Sequence, residues 1–247
     1  MNLILDLGNS RCKWALANAG LQPSGAFVYS EDFTRTLDQA FKSLARPTQV
    51  AAVSVAGAAR TDTLTQWVKR HWSLDLRQFH ARATQCGVTN TYDAPAQLGA
   101  DRWAALIAAR ARILGIVCVV DCGTAVTVDA LDAGGVFRGG VISPGLALMR
   151  ESLRQRTQGI GVVDGDASAC LARTTADAVS AGTAFGLAGA IDRILDEQAA
   201  ALGGAAQVLL TGGDAPKLQA LLRHTTQLVP NLVLEGVARM ASMEEAA

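Results

Sequence analysis

The chain has no excess of charge of either sign. Its 247 residues include 22 lysines and arginines and 22 aspartates and glutamates, so the formal net charge is zero. Proteins that bind nucleic acid or an anionic membrane surface through charge usually carry a basic excess. We therefore expect neither nucleic acid nor a membrane among the partners of this chain.

Long hydrophobic runs are also absent. The longest, residues 113–120, contains a glycine and is far shorter than the roughly 20 residues that a membrane-spanning helix needs. Residues 1–6 lack the basic segment of a secretory signal peptide and already reach a carboxylate at Asp6. Half of all residues are hydrophobic, which is enough for a sizeable core. These features predict a cytoplasmic protein.

Cysteine and histidine are scarce and scattered. The five cysteines are an odd number, and the three histidines stand alone in the sequence. Cys118 and Cys122 are four residues apart, but no histidine lies near them and Cys118 falls in an apolar run. Disulfide frameworks and structural metal sites both need a more regular set of residues. We therefore expect reduced thiols in the core.

What the sequence does contain is one order of elements that occurs twice. In the first half, a buried strand at residues 2–7 leads into a glycine turn. The pattern then predicts strands at 12–17 and 26–29, a helix with an apolar stripe from Phe33 to Leu44 that Ser30 caps, a strand at 50–55, a helix at 61–72 and a strand at 74–79.

The second half begins in the same way, with a strand at 116–120 before a second glycine turn. Alternating elements are typical of α/β proteins, and the internal repetition indicates two similar lobes, here residues 1–112 and 113–247. Ligands of open α/β folds bind at the strand ends, so we expect a nucleotide cleft between the lobes. The remaining predicted elements are strands at 126–131 and 136–142, helices at 145–156 and 175–202, a strand at 207–210, a helix at 216–223, a strand at 228–234 and a short terminal helix.

Each half carries an Asp-x-Gly turn, Asp6–Ser10 in the first and Asp121–Ala125 in the second. Glycine lets the backbone approach a ligand closely, and successive N–H groups of a tight turn can bind an anion. Lys13 adds a positive charge in the strand that follows the first turn. One such turn is common in β-hairpins, whereas two turns, each after a buried strand, favour phosphate binding. Ordinary hairpin turns stay open as the alternative.

The two aspartates imply a bound cation. A carboxylate beside a polyphosphate repels it unless a cation lies between them, and Mg²⁺ is usually held by one or two carboxylates and water. Asp6 and Asp121 therefore predict a clamp for a metal–nucleotide complex. The glycine-rich strand end at Thr211–Gly213 is suited to an adenosine that lies against the backbone.

A third candidate segment, Tyr92–Arg102, precedes an apolar helix. Asp101 and Arg102 fall in the first turn of that helix, where the helix dipole favours a carboxylate and free N–H groups can meet an anion. A plain helix-start carboxylate next to a surface arginine is the alternative.

The sequence resembles the type III pantothenate kinases, also called the Bvg accessory factor family, of the acetate and sugar kinase, heat-shock chaperone and actin superfamily. The resemblance runs nearly end to end, and it implies an α/β fold of two similar ribonuclease H-like (actin-like ATPase) lobes. It rests on DLGNS at 6–10, YxxPxxLGADR at 92–102, DCGTAVTVD at 121–129, GGVISPG at 139–145, TGG at 211–213 and LVLEG at 232–236.

The resemblance implies transfer of the γ-phosphoryl group of ATP to pantothenate, which gives 4′-phosphopantothenate in the first step of coenzyme A biosynthesis. Asp101 is implied to accept the proton of the attacking hydroxyl. The implied substrate-binding residues are Tyr92, Gly99, Ala100, Asp101, Arg102 and Thr175, with Thr174 as the alternative to Thr175. The implied ATP-binding residues are Asp6, Leu7, Gly8, Asn9, Ser10, Arg11, Cys12, Lys13 and Thr124.

The resemblance also implies two cations and a partner subunit. Mg²⁺ would be held by Asp6 through water, and a monovalent cation, K⁺ or NH₄⁺, by Asp121. The implied assembly is a homodimer with residues 139–145 near the interface. Two other functions stay open: a kinase of the same superfamily with another small acceptor, and a non-catalytic ATP-binding regulatory protein. The presence of both aspartates and of Asp101 argues against the regulatory protein.

Overall fold

The computed structural model describes residues 1–18, 20–161, 165, 167 and 170–245. Its chain forms two compact units, the first made of Met1–Arg112, Gly135–Phe137 and Asn231–Ala247, the second of Ile113–Gly134 and Arg138–Pro230. The division of the sequence into 1–112 and 113–247 differs from these units in residues 135–137 and 231–247, which belong to the first unit.

The first unit contains a five-stranded sheet. Strand β1 is central, β2 and β3 follow it in antiparallel pairs, and β4 and β5 extend the other side in parallel. The apolar run of β1 buries Leu3, Ile4, Leu5 and Leu7 completely, as its sequence predicts. The strands are β1 (Asn2–Leu7), β2 (Arg11–Ala17), β3 (Leu21–Val28), β4 (Gln49–Ser54) and β5 (Leu76–Gln78), in the order β3-β2-β1-β4-β5.

Helices and two short strands complete the first unit. The predicted cap of the first helix is wrong: Asp32, not Ser30, accepts the backbone N–H of Arg35 at 3.0 Å, because a cap must directly precede the first helical residue, here Phe33. The elements are α1 (Phe33–Ala40), α2 (Ala58–Trp72), β6 (Thr84–Gln85), β7 (Val88–Asn90), a 3₁₀ turn (Pro95–Gln97), α3 (Ala100–Arg112) and the terminal α7 (Leu232–Glu245).

The predicted strand at 228–234 is wrong. Residues from Leu232 onward form α7, and Gly236 lies against the backbone of Ala104 in α3, where a Cβ atom would clash. Pro230 cannot donate a hydrogen bond to a sheet, and the apolar residues beyond it recur at helical spacing. Arg112 binds Glu235 through two hydrogen bonds of 2.7 Å and links the same two helices.

The second unit repeats the sheet of the first. Strand β9 pairs antiparallel with β8, β11 pairs parallel with β8, and β12 pairs parallel with β11. The second sheet has seven strands in the order β12-β11-β8-β9-β10-β7-β6. Five of them, read as β10-β9-β8-β11-β12, have the order of the first sheet with corresponding strands, which confirms the predicted repetition. The strands are β8 (Val117–Cys122), β9 (Ala125–Leu131), β10 (Val136–Pro144), β11 (Gln207–Thr211) and β12 (Thr226–Leu228).

Three helices, α4 (Leu146–Arg156), α5 (Thr175–Leu202) and α6 (Ala215–Gln219), belong to the second unit. Helix α5 has the predicted bounds, and of the helices in the described residues it alone is long and apolar enough to cross a membrane by composition. Over its most apolar stretch 56% is buried, and Leu187, Ile191 and Leu195 pack in the core of the unit. The core thus accounts for the apolar side of this helix.

Helix α6 ends at Gln219, four residues before its predicted end at Arg223. The buried carboxylate of Asp192 instead binds the backbone at Arg223. Asp192 of α5 accepts hydrogen bonds from the backbone N–H of Arg223 at 3.1 Å and from Nδ1 of His224 at 2.9 Å. Burial opposes the charge of Asp192, but the hydrogen bonds from His224 and Arg223 outweigh it and hold the pKa of this carboxyl below its ordinary value. Asp196, half exposed one turn later, also contacts the side chains of Arg223 and His224.

We expect Asp192→Asn to lower the free energy of unfolding by about 1–3 kcal/mol at pH 7, because two donors lose their charged acceptor. A carboxyl with a lowered pKa stabilises the fold above its unfolded pKa of about 3.9, and this contribution is lost as the pH falls through the folded value. The difference from the parent in urea unfolding should therefore shrink below about pH 4. Asp196→Asn, on the same helix but more exposed, should lose at most about 1 kcal/mol. Equal losses in both variants would contradict this account.

Candidate active site

The first Asp-x-Gly turn lies at the end of the central strand of the first unit. Asp6 is only 7% exposed and follows three apolar residues of β1, Leu3, Ile4 and Leu5. The N–H of Gly8 donates to the carbonyl of Arg11 at 3.1 Å, which closes the turn and leaves Asn9 and Ser10 exposed at its tip. Lys13 lies directly opposite Asp6 on β2, so a cation faces the carboxylate across the strand pair.

Burial and the negative charge of Asp6 both raise the pKa of two neighbouring side chains, Cys12 and Tyr29. Burial raises the pKa of the Cys12 thiol well above its ordinary value, and the negative charge of Asp6 raises it further. Burial also raises the pKa of the Tyr29 hydroxyl, with smaller contributions from Cys12 and Asp6 in the same direction. Cys12 is therefore a neutral core thiol, as the sequence predicts, and it offers no nucleophile at neutral pH.

Two residues outside the motif contact this turn. The hydroxyl of Tyr29 donates to the carbonyl of Gly8 at 2.8 Å, and Nη1 of Arg60 lies 3.5 Å from the carbonyl of Asn9. Sequence analysis missed both, because each lies in another element and no local pattern marks it.

The second Asp-x-Gly turn lies at the corresponding place in the second unit. Asp121 and Cys122 belong to β8 rather than to the turn, which consists of Gly123 and Thr124 and is closed by a hydrogen bond of 3.1 Å from Gly123 N–H to the Ala125 carbonyl. Opposite Asp121 lie Thr127 on β9 and Thr211 on β11, so no lysine takes the place that Lys13 has in the first unit.

Glycines bring two further segments against this second turn. Gly145, before α4, donates its N–H to the carbonyl of Thr124 at 3.0 Å, and a Cβ atom on Gly145 would clash with the carbonyl of Gly123. Gly212, after β11, has φ +97° and lies against the backbone of Cys122. The GGVISPG and TGG motifs thus meet the DCGTA motif within one unit, at positions that accept only glycine.

The Tyr92–Arg102 segment is held by a buried asparagine. The side chain of Asn90, 7% exposed, accepts the N–H of Tyr92 at 3.1 Å and donates to the carbonyl of Pro95 at 3.1 Å. The loop between β7 and the 3₁₀ turn is therefore tied at both ends. Sequence analysis missed Asn90, although it lies just before the motif.

Arg102 is a buried cation. It is 8% exposed, its Nη1 donates to the hydroxyl of Tyr92 at 3.1 Å, and its guanidinium lies 5.9 Å from the ring centre of Tyr92 and 5.8 Å from that of Phe137. The alternative of a surface arginine is therefore wrong. The ring of Phe137 also packs against that of Tyr92, with the ring centres 5.6 Å apart and the planes inclined by 37°. The distance between the two residues in the sequence concealed this contact.

Asp101 stands in the first turn of α3, as predicted. Its Oδ1 accepts the backbone N–H of Arg102 at 2.7 Å, and a Cβ atom on Gly99 would come within 2.6 Å of the same oxygen. Burial raises the pKa of the Asp101 carboxyl, and the hydrogen bond and charge of Arg102 offset only part of this rise. A carboxylate with a raised pKa next to a fixed cation is suited to accept a proton.

The two neighbouring threonines differ in their contacts. Thr174 is the N-cap of α5: its hydroxyl accepts the N–H of Asp177 at 3.1 Å and donates to the carboxylate of Asp177 at 2.7 Å. Thr175, the first helical residue, is exposed. The cap thus engages the Thr174 hydroxyl, which favours Thr175 as the residue that meets a ligand.

The acidic residues fit a cation that keeps water or phosphate ligands. Over the described parts of the chain, no group of three or more His, Cys, Asp or Glu side chains is placed to hold a metal ion. Mg²⁺ prefers one or two carboxylates together with water and phosphate oxygens, and Asp6 supplies such a carboxylate beside the exposed turn. At the second turn, Asp121 and Asp214 both raise the pKa of Cys122, after the larger effect of burial, so negative charge gathers there as well.

The fold is shared with solved structures of low sequence identity. An activator of 2-hydroxyisocaproyl-CoA dehydratase from Clostridium difficile aligns with a TM-score of 0.55 at 13% identity over 100% of this chain and 97% of that one. A glucokinase from an Antarctic psychrotroph aligns with a TM-score of 0.50 at 12% identity over 98% of both chains. A Campylobacter jejuni protein, provisionally described as a Baf family transcriptional activator, aligns at 0.63 and 20% identity over 99% and 100%. These neighbours support the two-lobe actin-like fold.

Sequence comparison is more specific. Type III pantothenate kinase of Nitrosococcus oceani is 38% identical over 98% of this chain and 94% of its own length, and that of Alkalilimnicola ehrlichii is 41% identical over 97% of both. The enzyme of the same name from Azoarcus is 41% identical over 100% of this chain and 92% of its own length. The sequence profile of the type III pantothenate kinase family matches residues 2–197. The chain therefore belongs to the type III pantothenate kinase family.

Proposed function

We propose that this protein transfers the γ-phosphoryl group of ATP to pantothenate and forms 4′-phosphopantothenate, in the cytoplasm, as the first step of coenzyme A biosynthesis. Membership of the family makes it an ATP-dependent kinase. The observation that supports the acceptor is the cluster of Asp101, Arg102 and Tyr92, which places a proton acceptor beside a buried cation.

On the acceptor side, each residue of the cluster has a chemical task. Pantothenate carries a carboxylate and a terminal hydroxyl, and an arginine guanidinium held by rings can pair with a carboxylate in a fixed direction. Asp101 takes the proton of the hydroxyl as the bond to phosphorus forms. Tyr92 packs along the substrate, and Gly99 and Ala100 line the same pocket through their backbone. Thr175 adds a substrate contact.

On the donor side, residues Asp6 to Lys13 hold the phosphates of ATP. The turn supplies backbone N–H groups, and Lys13 supplies a positive charge on the strand next to Asp6. Asp6 holds Mg²⁺ through water, Thr124 contacts the phosphates, and Asp121 binds K⁺ or NH₄⁺. The cations neutralise charge on the transferred group, which in phosphoryl transfer contributes more than the base does.

A coupled assay tests this function directly. Pantothenate, ATP, Mg²⁺ and potassium are expected to give ADP formation that needs pantothenate and falls when potassium is left out. Consumption of ATP with a sugar or a short carboxylic acid in place of pantothenate would favour another acceptor. ATP binding without turnover on any acceptor would favour a regulatory protein.

We expect Asp101→Asn to lower kcat by about 10²-fold, because the variant keeps the shape but cannot accept the proton. ATP binding, measured by titration with Mg²⁺, should change little. The pH dependence gives a second readout. Because the pKa of Asp101 is raised, kcat of the parent should fall as the pH drops through that value and Asp101 becomes protonated. The variant should lack this acid limb. Asp93→Asn, an exposed residue of the same segment, is the control that should behave as the parent.

We expect Asp121→Ala to lose activation by potassium. The ratio of activity with potassium to activity without it should approach one in the variant, because the carboxylate that holds the cation is gone. The measurement is the steady-state rate across a potassium series at constant ionic strength. Asp196→Ala, an exposed carboxylate of the same unit, should keep the parent's response. A parent-like potassium response in Asp121→Ala would refute the assignment.

The proposed assembly is a homodimer, and one face of the second unit supports it. Gly182, Gly186 and Gly189 lie on the exposed side of α5, and a Cβ atom on any of them would meet nothing within 4 Å. Each glycine destabilises an exposed helix by about 1 kcal/mol relative to alanine, so packing within the chain gives no reason for them. Close approach of a second backbone does give a reason. Exposed Ile142 and Phe185 add apolar surface in the same unit.

We expect Gly186→Leu to shift the protein from dimer to monomer in light scattering or analytical ultracentrifugation. Leucine favours the helix itself, so a loss of dimer would report on the surface rather than on a broken helix. Ala200→Leu, at an exposed position in the last turns of the same helix, should stay dimeric. An unchanged molar mass in Gly186→Leu would remove this face from the interface.

A further inference from the structure

The two carbonyl groups at the tip of the first phosphate turn are each engaged by a side chain from another element. Tyr29, just after β3, donates its hydroxyl to the Gly8 carbonyl at 2.8 Å. Arg60, in the first turn of α2, directs Nη1 to the Asn9 carbonyl at 3.5 Å. These contacts join residues that are 21 and 51 positions apart in the sequence.

Tyr29 and Arg60 also contact each other directly. The guanidinium carbon of Arg60 lies 4.3 Å from the centre of the Tyr29 ring, a cation–π contact. Phe33 of α1 also contacts Tyr29. Its ring meets the Tyr29 ring edge-on, with the ring centres 5.3 Å apart and the planes at 82°. Tyr29, Phe33 of α1 and Arg60 of α2 thus form one brace next to the turn.

The brace determines where the amide groups of the turn point. In a planar trans peptide the C=O and N–H bonds have opposite directions. Because the Gly8 carbonyl is drawn to Tyr29, the N–H of Asn9 is directed the other way, and because the Asn9 carbonyl is drawn to Arg60, so is the N–H of Ser10. Phosphate binding by a turn needs successive N–H groups on one side. A flipped peptide would present a carbonyl oxygen, which repels phosphate.

Both hydrogen-bond donors of the brace, the Tyr29 hydroxyl and the Arg60 guanidinium, keep their protons at neutral pH. Burial raises the pKa of the Tyr29 hydroxyl, and the nearby Cys12 and Asp6 raise it further, while Arg60 opposes them in part. Tyr29 therefore stays protonated and donates. Arginine keeps its charge at every pH at which the protein is folded.

We propose that Tyr29 and Arg60 are positioning residues that aim the Asn9 and Ser10 amides at the phosphates of ATP. They act through the backbone of the turn rather than by contact with the substrate. The inference rests on the proposed function to the extent that ATP is taken as the ligand of this turn.

Steady-state kinetics with Tyr29→Phe and Arg60→Met provide the first test. Loss of one hydrogen bond to a turn carbonyl is expected to raise KM for ATP about 3–10-fold in each variant. KM for pantothenate should stay within about twofold of the parent, because no acceptor contact is altered. Calorimetric titration with Mg²⁺–ATP should show the same loss without turnover, and Arg60→Lys should recover part of it.

A matched control separates positioning from general damage. Arg77 of β5 makes a similar contact, 5.5 Å from the ring of Phe79 in the same unit. Arg77→Met should therefore leave KM for ATP unchanged. In nucleotide-free protein, the amide signals of Asn9 and Ser10 in ¹⁵N-resolved NMR should shift in Tyr29→Phe and Arg60→Met but not in Arg77→Met, with the melting temperatures of all three close to the parent's.

The outcomes distinguish this inference from the proposed function. A parent that binds Mg²⁺–ATP but does not phosphorylate pantothenate refutes the proposed acceptor and leaves the brace to be judged by titration and NMR, which then decide it. Variants with parent-like ATP binding and unshifted amides refute the brace, whatever the acceptor is. A parent that binds no ATP refutes both.

Discussion

A carboxylate buried at the end of a hydrophobic central strand is the constraint on which the candidate site depends. Asp6 lies between the fully buried Leu5 and Leu7 and is itself 7% exposed. A buried charge is costly unless hydrogen bonds or opposite charges compensate it. Lys13 lies opposite Asp6 on the neighbouring strand, and a bound cation adds further compensation in the proposed function. A carboxylate at this strand end is what the proposed binding of a metal–nucleotide complex requires.

Both repeats place an aspartate at the end of their central strand, but the residues that flank the carboxylate differ. In the first unit a lysine is paired with the aspartate, whereas in the second unit threonines flank Asp121 on both neighbouring strands and Asp214 adds negative charge nearby. A phosphate needs positive charge beside it, and a weakly hydrated cation needs oxygen ligands without a competing lysine. In the proposed function, this difference in flanking residues is the reason to assign Mg²⁺ to Asp6 and a monovalent cation to Asp121.

Local sequence patterns predicted the elements whose bounds depend on neighbouring residues. They failed where contacts with residues distant in the sequence determine the structure. The apolar runs of β1 and β8 and the bounds of α5 follow from sequence alone. The end of α6 could not be predicted from the sequence, because Asp192, about 30 residues earlier, accepts hydrogen bonds from the backbone N–H groups of Arg223 and His224. Tyr29 and Phe137 were missed for the same reason, since their contacts are tertiary. Pro230 was a visible local signal against the strand predicted at 228–234.

The residues proposed to bind the acceptor lie mostly in a part of the chain that is not repeated. Solved structures with this fold carry names as different as glucokinase and dehydratase activator, so the two repeated sheets do not by themselves determine the acceptor. The first unit follows β5 with β6, β7 and a 3₁₀ turn before α3, whereas the second passes from β12 directly to α7. That extra segment carries Asn90 and Tyr92, and Arg102 lies in the first turn of the helix that follows it. In the proposed function the repeated turns bind ATP, whereas Tyr92, Arg102 and Thr175 bind the acceptor, so a change of acceptor would involve both this segment and the start of α5.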